Sequence, residues 1–298
     1  AYVGMTNRIL ARFVDRAYIT FEQTDEEFGA GKTRLTCNPV RQEIVEHARH
    51  ALADPQGFES RSPTLIVLGG TQGARKLNEE EPRAFAEAGM ADRNLEVVHQ
   101  TGESMRDQVE ATYRELGIRA RVVTFIDDIA RAYSNAALVI ARAGATTLAE
   151  LCAIGRPSIL VPFPFAADDH QAKNAEALAE QGASICIREA DLEVGALGAL
   201  VGDLLDDPAK RGAMAGAARE HGKPDAAAAI VDDMMGWLGG AEASQEPLAS
   251  PESEPPTGAR YTGLGVAPML RLGCPEVALR PALHRPRRPV VVDGALWE

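Results

Sequence analysis

Short apolar runs alternate with amphipathic helical segments through the middle of this chain. The apolar runs predict strands at residues 64–68, 95–99, 121–125, 137–141, 158–161 and 184–187. The spacing of apolar positions between them predicts helices at residues 76–88, 104–116, 129–134, 147–154 and 170–181. Such alternation is typical of βαβ units, in which a parallel sheet is covered by helices on both faces. The chain is therefore predicted to contain a doubly wound, Rossmann-like α/β domain.

The segments that flank this core have a different character. Upstream, residues 7–15 have the apolar spacing of an amphipathic helix. Downstream, three more helices are predicted at residues 192–205, 208–220 and 224–238, the last two opened by a proline. Nine of the 18 prolines lie between Pro247 and Pro289, so residues 239–298 are expected to form a poorly ordered tail. The basic run at 285–288 is interpreted either as an interaction patch or as a solvated segment.

Charge and cysteine usage exclude several classes of function. The formal net charge of -12 disfavours a nucleic-acid partner, because phosphate neutralisation needs clustered Lys and Arg. The four cysteines include no CxxC pair, so neither a zinc site nor a disulfide framework is predicted, and a reducing cytoplasm is expected. No run approaches the roughly 18 apolar residues of a membrane-spanning helix, and the first residues lack a basic-then-apolar pattern, so neither a membrane span nor a leader is expected. Any membrane contact is therefore expected to be peripheral.

A glycine-rich turn follows the first strand of the predicted sheet. Residues 65–74 read Leu-Ile-Val-Leu-Gly-Gly-Thr-Gln-Gly-Ala and lead directly into a helix. In this geometry, backbone N–H groups meet an anion at a helix N-terminus. The spacing matches neither the GxGxxG nor the Walker pattern, so a dinucleotide or ATP site is not the first interpretation. A tight turn that needs glycine only for its backbone angles stays an alternative.

A second turn of the same kind follows the fourth strand. Residues 141–150 read Ala-Arg-Ala-Gly-Ala-Thr-Thr-Leu-Ala-Glu. Gly144 permits close backbone approach, and Thr146 or Thr147 can cap the helix while N–H groups stay open to a diphosphate. Glu150 lies about one turn into the helix, where its carboxylate can accept hydrogen bonds from a sugar diol. Alternatively, Glu150 interacts only with the helix dipole.

A third polar loop follows the strand at 158–161. It contains two prolines and continues as Asp168-Asp-His-Gln171 into a helix. Folds of this class bind ligands at the carboxyl ends of parallel strands, so the three loops are predicted to face one crevice. No further His or Cys lies at ligand spacing, so a metal site is not predicted there. The acidic pairs at 127–128 and 168–169 are interpreted as helix-start carboxylates.

Five segments, in this order, resemble the carboxy-terminal domain of the MurG family of glycosyltransferases. They are Gly-Gly-Thr-Gln-Gly-Ala at 69–74, His-Gln-Thr-Gly at 99–102, Phe-Ile-Asp-Asp at 125–128, Arg-Ala-Gly-Ala-Thr-Thr-Leu-Ala-Glu at 142–150 and Asp-Asp-His-Gln-Ala-Lys-Asn-Ala at 168–175. Residues 5–11 and 38–41 are similar to the interdomain region of that family. The resemblance covers about residues 1–238. It implies an enzyme of the two-domain GT-B type, in which the carboxy-terminal domain holds UDP-N-acetylglucosamine.

The resemblance also implies which residues bind the donor. They are Arg41, Thr71, Gln72, Gly73, Ile126, Gly144, Ala145, Thr146, Thr147, Glu150, His170, Gln171 and Asn174. Residues 71–73 would meet the donor, with Thr71 standing where the family more often has Ser. Ile126 would contact the uracil through its backbone, residues 144–147 would hold the diphosphate, and Glu150 would bind the ribose hydroxyls. The three residues of the last segment would address the sugar, and Arg41 would lie at the domain junction.

The implied reaction is the inverting transfer of N-acetylglucosamine from UDP-N-acetylglucosamine to the undecaprenyl-linked muramoyl-pentapeptide, the step from lipid I to lipid II in peptidoglycan synthesis. It would use neither a cofactor nor a metal, at the cytoplasmic face of the bacterial membrane. One departure from the family is large, because its Gly-Gly-Thr-Gly-Gly-His turn, which carries the expected base, is missing. Residues 1–40 are therefore expected to be a remnant of the acceptor domain and residues 41–238 the donor domain. The base and the membrane contact are expected upstream of Ala1.

Two alternative functions stay open. One is another UDP-sugar enzyme on the same architecture, such as a 2-epimerase. An epimerase would need carboxylates and a histidine around the sugar, and only His99 and His170 lie near predicted strand ends. The other is a catalytically silent fragment that binds a UDP-sugar.

Overall fold

A computed structural model describes residues 5–53, 64–69, 74–239, 290–292 and 295–297. The chain separates into two compact units, residues 1–234 with 288–298, and residues 235–287. Of the second unit only residues 235–239 are described, and they form the end of a helix. In the described ranges, no helix has the length and apolar character needed to cross a bilayer.

The first part of the chain forms a small parallel pair of strands. Helix α1 spans Met5–Leu10, and strands β1 (Ala17–Ile19) and β2 (Thr33–Leu35) pair in parallel around a 3-10 helix. The helix predicted at 7–15 is shorter than expected, because the N–H groups of Phe13 and Val14 both bond to the Leu10 carbonyl and close the helix with a turn. This turn buries Val14 in a small apolar cluster beside β1.

A six-stranded, all-parallel sheet forms the core of the protein. Its strands are β3 (Thr64–Leu68), β4 (Glu96–Gln100), β5 (Ala120–Val123), β6 (Ala136–Ala141), β7 (Ser158–Leu160) and β8 (Ile185–Cys186). The spatial order is β5-β4-β3-β6-β7-β8, so the chain moves outward from β3 and then returns to its other side at β6. The predicted doubly wound α/β fold is confirmed, and its topological switch point lies between β3 and β6.

In the described part of the chain after β2, nine α-helices connect and cover the strands. They are α2 (Gln42–Ala53), α3 (Arg75–Glu87), α4 (Arg106–Glu115), α5 (Ile129–Asn135), α6 (Ala145–Ile154), α7 (His170–Glu180), α8 (Val194–Asp206), α9 (Pro208–His221) and α10 (Ala226–Gly239). Apolar side chains of α2, α5, α6 and α7 pack with Ile66 in one cluster, and those of α3, α4 and α8 pack with Leu65 and Val67 in another. Since successive strand residues point to opposite faces, the two clusters lie on the two faces of the sheet.

The starts of the last two helices differ. Pro208 opens α9 as predicted, and the Asp207 side chain caps it by accepting from the Lys210 N–H at 2.9 Å. Helix α10 begins at Ala226 rather than at Pro224, so the second proline lies before the helix.

Helices α3 and α8 approach each other closely at a glycine. A Cβ atom added to Gly198 of α8 would lie 2.7 Å from the carbonyl oxygen of Ala84 in α3. By contrast, a Cβ added to Gly216 of α9 would meet no atom of the described residues within 4 Å. Gly198 is therefore required by helix packing, whereas Gly216 is not.

One carboxylate of helix α10, that of Asp233, contacts the first part of the chain. Asp233 accepts a hydrogen bond from the Tyr18 hydroxyl at 2.9 Å and pairs with Arg16 at 3.0 Å and with Arg34 at 3.5 Å. Burial and the bond to Asp233 raise the pKa of Tyr18 to about 12. The strands at the start of the chain are thus fastened to the helix near residue 233.

Two short strands lie in the segment that was expected to be a poorly ordered tail. Strand β9 (Val290–Val292) pairs in parallel with β1, and β10 (Ala295–Trp297) pairs antiparallel with β9. The expectation of no regular structure is wrong for these residues, because three consecutive β-branched valines favour an extended backbone. The basic run at 285–288 and the other tail residues lie outside the described part of the chain.

Candidate functional site

A cavity opens at the carboxyl ends of the strands beside the switch point. Strands β3 and β4 end at Leu68 and Gln100, and Arg142 follows β6 directly. These residues line the cavity together with seven others from α5, α6, the loop after β5 and the position just before α2. The full lining is Arg41, Leu68, Gln100, Phe125, Ile126, Ile129, Tyr133, Arg142, Thr147 and Glu150. The sheet therefore places its ligand crevice where folds of this class hold nucleotides.

The N-terminus of α6 faces this cavity through Thr147. Gly144 is the N-cap residue, its backbone is extended, and its carbonyl accepts the first helical bond from the Leu148 N–H at 3.0 Å. The amides of residues 145–147 precede that bond, so the helix leaves them open to a ligand. The expectation that Thr146 or Thr147 caps the helix is wrong, because the helix begins at Ala145 and both threonines lie inside its first turn.

Gly144 leaves free space beside this helix start. A Cβ atom there would meet only the Thr147 hydroxyl, at 3.9 Å, among the described atoms. An anion can therefore approach the backbone closely, and the dipole of a ten-residue helix favours negative charge at this end.

Glu150 presents a buried carboxylate to the same cavity. The residue is 2% exposed, its Oε1 accepts from the Arg41 Nε at 3.0 Å, and its Oε2 accepts from the Tyr133 hydroxyl at 3.4 Å. Burial raises the pKa of Glu150, while the charge and hydrogen bond of Arg41 and the bond from Tyr133 act in the opposite direction. Arg41 and Tyr133 thus hold the carboxylate in one orientation, with lone pairs left for further donors.

The loop after β5 forms another wall of the cavity. Ile126 is nearly buried, and its backbone N–H donates to the Gln100 Oε1 at 3.0 Å. Asp128 caps α5 by accepting from the Arg131 N–H at 2.9 Å, which confirms its interpretation as a helix-start carboxylate. Phe125 stays half exposed at the rim.

Arg142 connects the cavity to the loop after β7. Its guanidinium donates to the carbonyl oxygens of Val161 and Pro162, both at 3.2 Å, and lies 5.6 Å from the centroid of the Phe163 ring. Gln171 holds the same loop, since its Oε1 accepts from the Phe163 N–H at 3.0 Å. The third predicted loop therefore lies next to the second.

The residues predicted to address the sugar are arranged less directly. Gln171 and His170 lie in the first turn of α7, and Asn174 is fully buried. The described lining of the cavity includes no residue of α7. Asp168 and Asp169 both have φ of +54°, a left-handed conformation that is strained for residues other than glycine. The sugar contacts stay a prediction.

The predicted donor residues Thr71, Gln72 and Gly73 lie outside the described part of the chain. Gly69 and Ala74, on either side of residues 70–73, are described, and a Cβ added to Gly69 would lie 2.9 Å from the backbone nitrogen of Ala74. Glycine is therefore sterically required at 69, as expected for a tight strand-to-helix turn.

His99 lies in a buried hydrogen-bond network behind the cavity. Its Nε2 is 3.0 Å from the Asn78 Oδ1 and its Nδ1 is 2.9 Å from the Tyr113 hydroxyl. The Asn78 Nδ2 donates to the Thr101 carbonyl, so its Oδ1 must accept from His99, which places the ring proton on Nε2. Burial lowers the pKa of His99 to about 3, so the ring is neutral at physiological pH. His99 is fully buried, which removes it as a candidate base for a reaction in the cavity.

A buried carboxyl group accompanies this network. Glu81 is fully buried with its Oε2 3.7 Å from the His99 Nε2, and its oxygens accept no hydrogen bond within the described residues. Burial raises the pKa of Glu81 well above its ordinary value.

The sequence indicated part of this site and missed part. Ile126, Thr147, Glu150 and Arg41 were predicted and lie together. The missed lining residues are Leu68, Gln100, Phe125, Ile129, Tyr133 and Arg142. Gln100, Phe125 and Arg142 lie inside the family-like segments at 99–102, 125–128 and 142–150. Tyr133 could be placed on a helix, but nothing in the sequence indicated that it would line the site.

A doubly wound sheet with an open helix start and a buried carboxylate in one crevice is typical of nucleotide-binding α/β domains. The model of the glycosyltransferase family 28 C-terminal domain matches residues 64–230. The chain belongs to this family. The match runs from β3 to the beginning of α10 and includes every cavity-lining residue except Arg41.

Curated relatives and solved structures agree with this assignment. Proteins from Geobacter sulfurreducens and Sorangium cellulosum are 43% and 46% identical to the chain over 235 residues. Both are named UDP-N-acetylglucosamine–N-acetylmuramyl-(pentapeptide) pyrophosphoryl-undecaprenol N-acetylglucosamine transferase. The alignments cover 79% and 78% of this chain but only 64% and 56% of those relatives, so the chain spans about three fifths of their length.

The structure of Acinetobacter baumannii MurG superposes with a TM-score of 0.63 at 31% identity, over 78% of this chain and 64% of MurG. The resemblance to that family is thereby confirmed. A structure described as a putative UDP-N-acetylglucosamine 2-epimerase from Listeria monocytogenes shares the fold with a TM-score of 0.57, at 16% identity. That likeness concerns the fold alone.

Proposed function

We propose that the cavity binds UDP-N-acetylglucosamine and that the chain is the donor-binding part of the enzyme that transfers N-acetylglucosamine to the undecaprenyl-linked muramoyl-pentapeptide. The observation that carries the proposal is the pairing of the α6 N-terminus with the buried carboxylate of Glu150 in one crevice. A diphosphate needs N–H donors, and a ribose diol needs an anionic acceptor. The names of the two curated relatives support the same donor and acceptor.

In this proposal the chain's residues hold the donor and stabilise the leaving group. The amides of residues 145–147 bind the diphosphate, and Glu150 accepts from the ribose hydroxyls. An acceptor hydroxyl displaces UDP at the anomeric carbon with inversion, and the bond to the diphosphate oxygen breaks. The negative charge that develops on UDP is stabilised by the fixed amides at the helix start. Gln171, His170 and Asn174 are assigned to the sugar.

The base that removes the acceptor proton is proposed to come from the part of the relatives that this chain does not span. His99 is buried and neutral, so it offers no alternative within the cavity. The same observation argues against a 2-epimerase that would use His99 at the sugar. Because the acceptor is lipid-linked, we place the reaction at the inner face of the cell membrane, with membrane contact made outside the described residues.

The proposal is tested by measuring binding and transfer separately. Calorimetry with UDP-N-acetylglucosamine should show binding to the chain as it stands. Transfer of labelled N-acetylglucosamine to a lipid-linked muramoyl-pentapeptide analogue should be at least about 100-fold slower than in a chimera that adds the remaining part of the Geobacter sulfurreducens relative, since a positioned base alone contributes that much. Absence of binding would refute the donor site. Equal transfer rates would show that the base lies within these 298 residues.

A further inference from the structure

Gln100 lines the cavity with a side chain that can both donate and accept hydrogen bonds. It is the last residue of β4, is 6% exposed and lies beside the Ile126 loop. The side chain of a glutamine carries one acceptor and two donor hydrogens, so its orientation decides what it offers to a ligand. The orientation of the Gln100 carboxamide follows from its hydrogen bond with the Ile126 N–H.

The hydrogen bond to Ile126 fixes the carboxamide. A backbone N–H can only donate, so the atom 3.0 Å from the Ile126 nitrogen must be the carboxamide oxygen of Gln100. The oxygen is thereby used within the protein, and the amide nitrogen is the group that remains. This Nε2 makes no hydrogen bond to any residue in the described part of the chain. The cavity therefore receives a donor from Gln100.

Hydrogen bonds from Asn78 fix the residues on either side of Gln100. The Asn78 Nδ2 donates to the carbonyl of Thr101 at 3.0 Å, and Asn78 is itself bonded to the buried, neutral His99. Residues on both sides of Gln100 are thus fixed by side chains from the opposite face of the strand. A donor that is positioned in this way discriminates between ligand groups better than a mobile one.

We propose that Gln100 determines which base the cavity accepts, by donating from its Nε2 to a ring carbonyl oxygen of uracil. The inference rests on the proposed function, in which the cavity holds a UDP-sugar. Uracil has a carbonyl acceptor at ring position 4, where cytosine has an amine donor. A fixed donor on Gln100 can bond to the carbonyl oxygen of uracil, whereas with cytosine it would face the amine, which is also a donor. Gln100 thus favours UDP over CDP.

Gln100→Glu separates this role from a purely structural one. The glutamate keeps an oxygen for the Ile126 N–H, so the loop stays in place, but it presents an acceptor to the cavity instead of a donor. Its charge repels the diphosphates of UDP and CDP equally, so the ratio of the two dissociation constants reports on the base alone. Gln108→Glu, on the exposed face of α4, adds the same charge as a control.

Calorimetric titrations with UDP and with CDP give this ratio for each protein. The wild type and Gln108→Glu should prefer UDP, and Gln100→Glu should lower the preference roughly tenfold or more, the effect of losing one hydrogen bond and leaving polar groups unmatched. Gln100→Leu, which offers no donor, should also lower it. An unchanged ratio in folded Gln100→Glu, or tighter UDP binding by Gln100→Leu, overturns the inference while UDP binding by the wild type upholds the proposed function. A wild type that binds neither nucleotide overturns both.

Discussion

Replacement of Glu150 by Gln tests the proposed ribose contact with little disturbance of the fold. Glutamine has the same shape, so its oxygen can accept from Arg41 and its amide can donate to the Tyr133 hydroxyl, the two groups that contact Glu150. The buried Tyr133 hydroxyl therefore keeps a partner. An alanine would leave it unpaired, at a cost of about 1 to 3 kcal/mol that would mix stability with affinity.

The size of the effect follows from the charge that is removed. Hydrogen bonds to a charged group contribute about 1 kcal/mol more than neutral ones, and a ribose diol donates two of them. Glu150→Gln should therefore weaken UDP binding by about 2 kcal/mol, or roughly 30-fold. With 2′-deoxy-UDP only one hydroxyl remains, so the loss should fall to about 1 kcal/mol, or roughly fivefold.

Calorimetry with both nucleotides measures these values, and thermal melting confirms that the variant is folded. Glu115→Gln on α4 is the control, because Glu115 is exposed and does not line the cavity. The reasoning is refuted if folded Glu150→Gln binds UDP and 2′-deoxy-UDP as tightly as the wild type does. Glu150 would then serve only as the partner of Arg41 and Tyr133.

Three further predictions concern charge and packing. Arg41→Gln should raise the pKa of Glu150 further, so that UDP affinity is lost at a higher pH on acidification than in the wild type; titrations between pH 5 and 8 would show no displacement if the ion pair were irrelevant. Burial raises the pKa of Glu81 above its ordinary 4.5, so the native state keeps a proton that the unfolded state loses, and stability falls as pH rises above 4.5. Glu81→Gln should therefore raise the free energy of unfolding in urea at pH 8, and should raise it less at pH 5. An equal increase at both pH values would contradict this. Gly198→Ala should lower stability by about 1 to 3 kcal/mol through its clash with α3, whereas Gly216→Ala should raise it by about 0.5 to 1 kcal/mol, and similar effects in the two would argue against close packing at Gly198.

The sheet could be predicted because its strands are buried on both faces. Runs such as 64–68 and 137–141 contain only residues that suit a buried strand, with a Thr at one edge, and the structure places them at Thr64–Leu68 and Ala136–Ala141. The short strands β9 and β10 left no comparable signal, since a run of three residues is below the length at which periodicity is visible.

The site could be predicted only where one loop contains it. Gly144 and Glu150 lie in one turn and helix, so their shared crevice followed from the fold class. The partners of Glu150 could not be predicted from spacing, because Arg41 is separated from it by 109 residues and Tyr133 belongs to another helix. The orientation of Gln100 depends on a backbone N–H that is 26 positions away. Contacts of this kind arise from the tertiary fold and leave no local pattern.

The contact between Asp233 and Tyr18 can form only late in the synthesis of the chain. Asp233 bonds to Tyr18 across 215 positions of sequence, so β1 can receive this partner only after nearly all of the described core has been translated. At roughly 5 to 20 residues per second, Tyr18 emerges about 10 to 40 s before Asp233 exists. During that interval the first strands of a nascent chain lack their final anchor. Factors that bind nascent chains would therefore find the first forty residues accessible for longer than the central sheet.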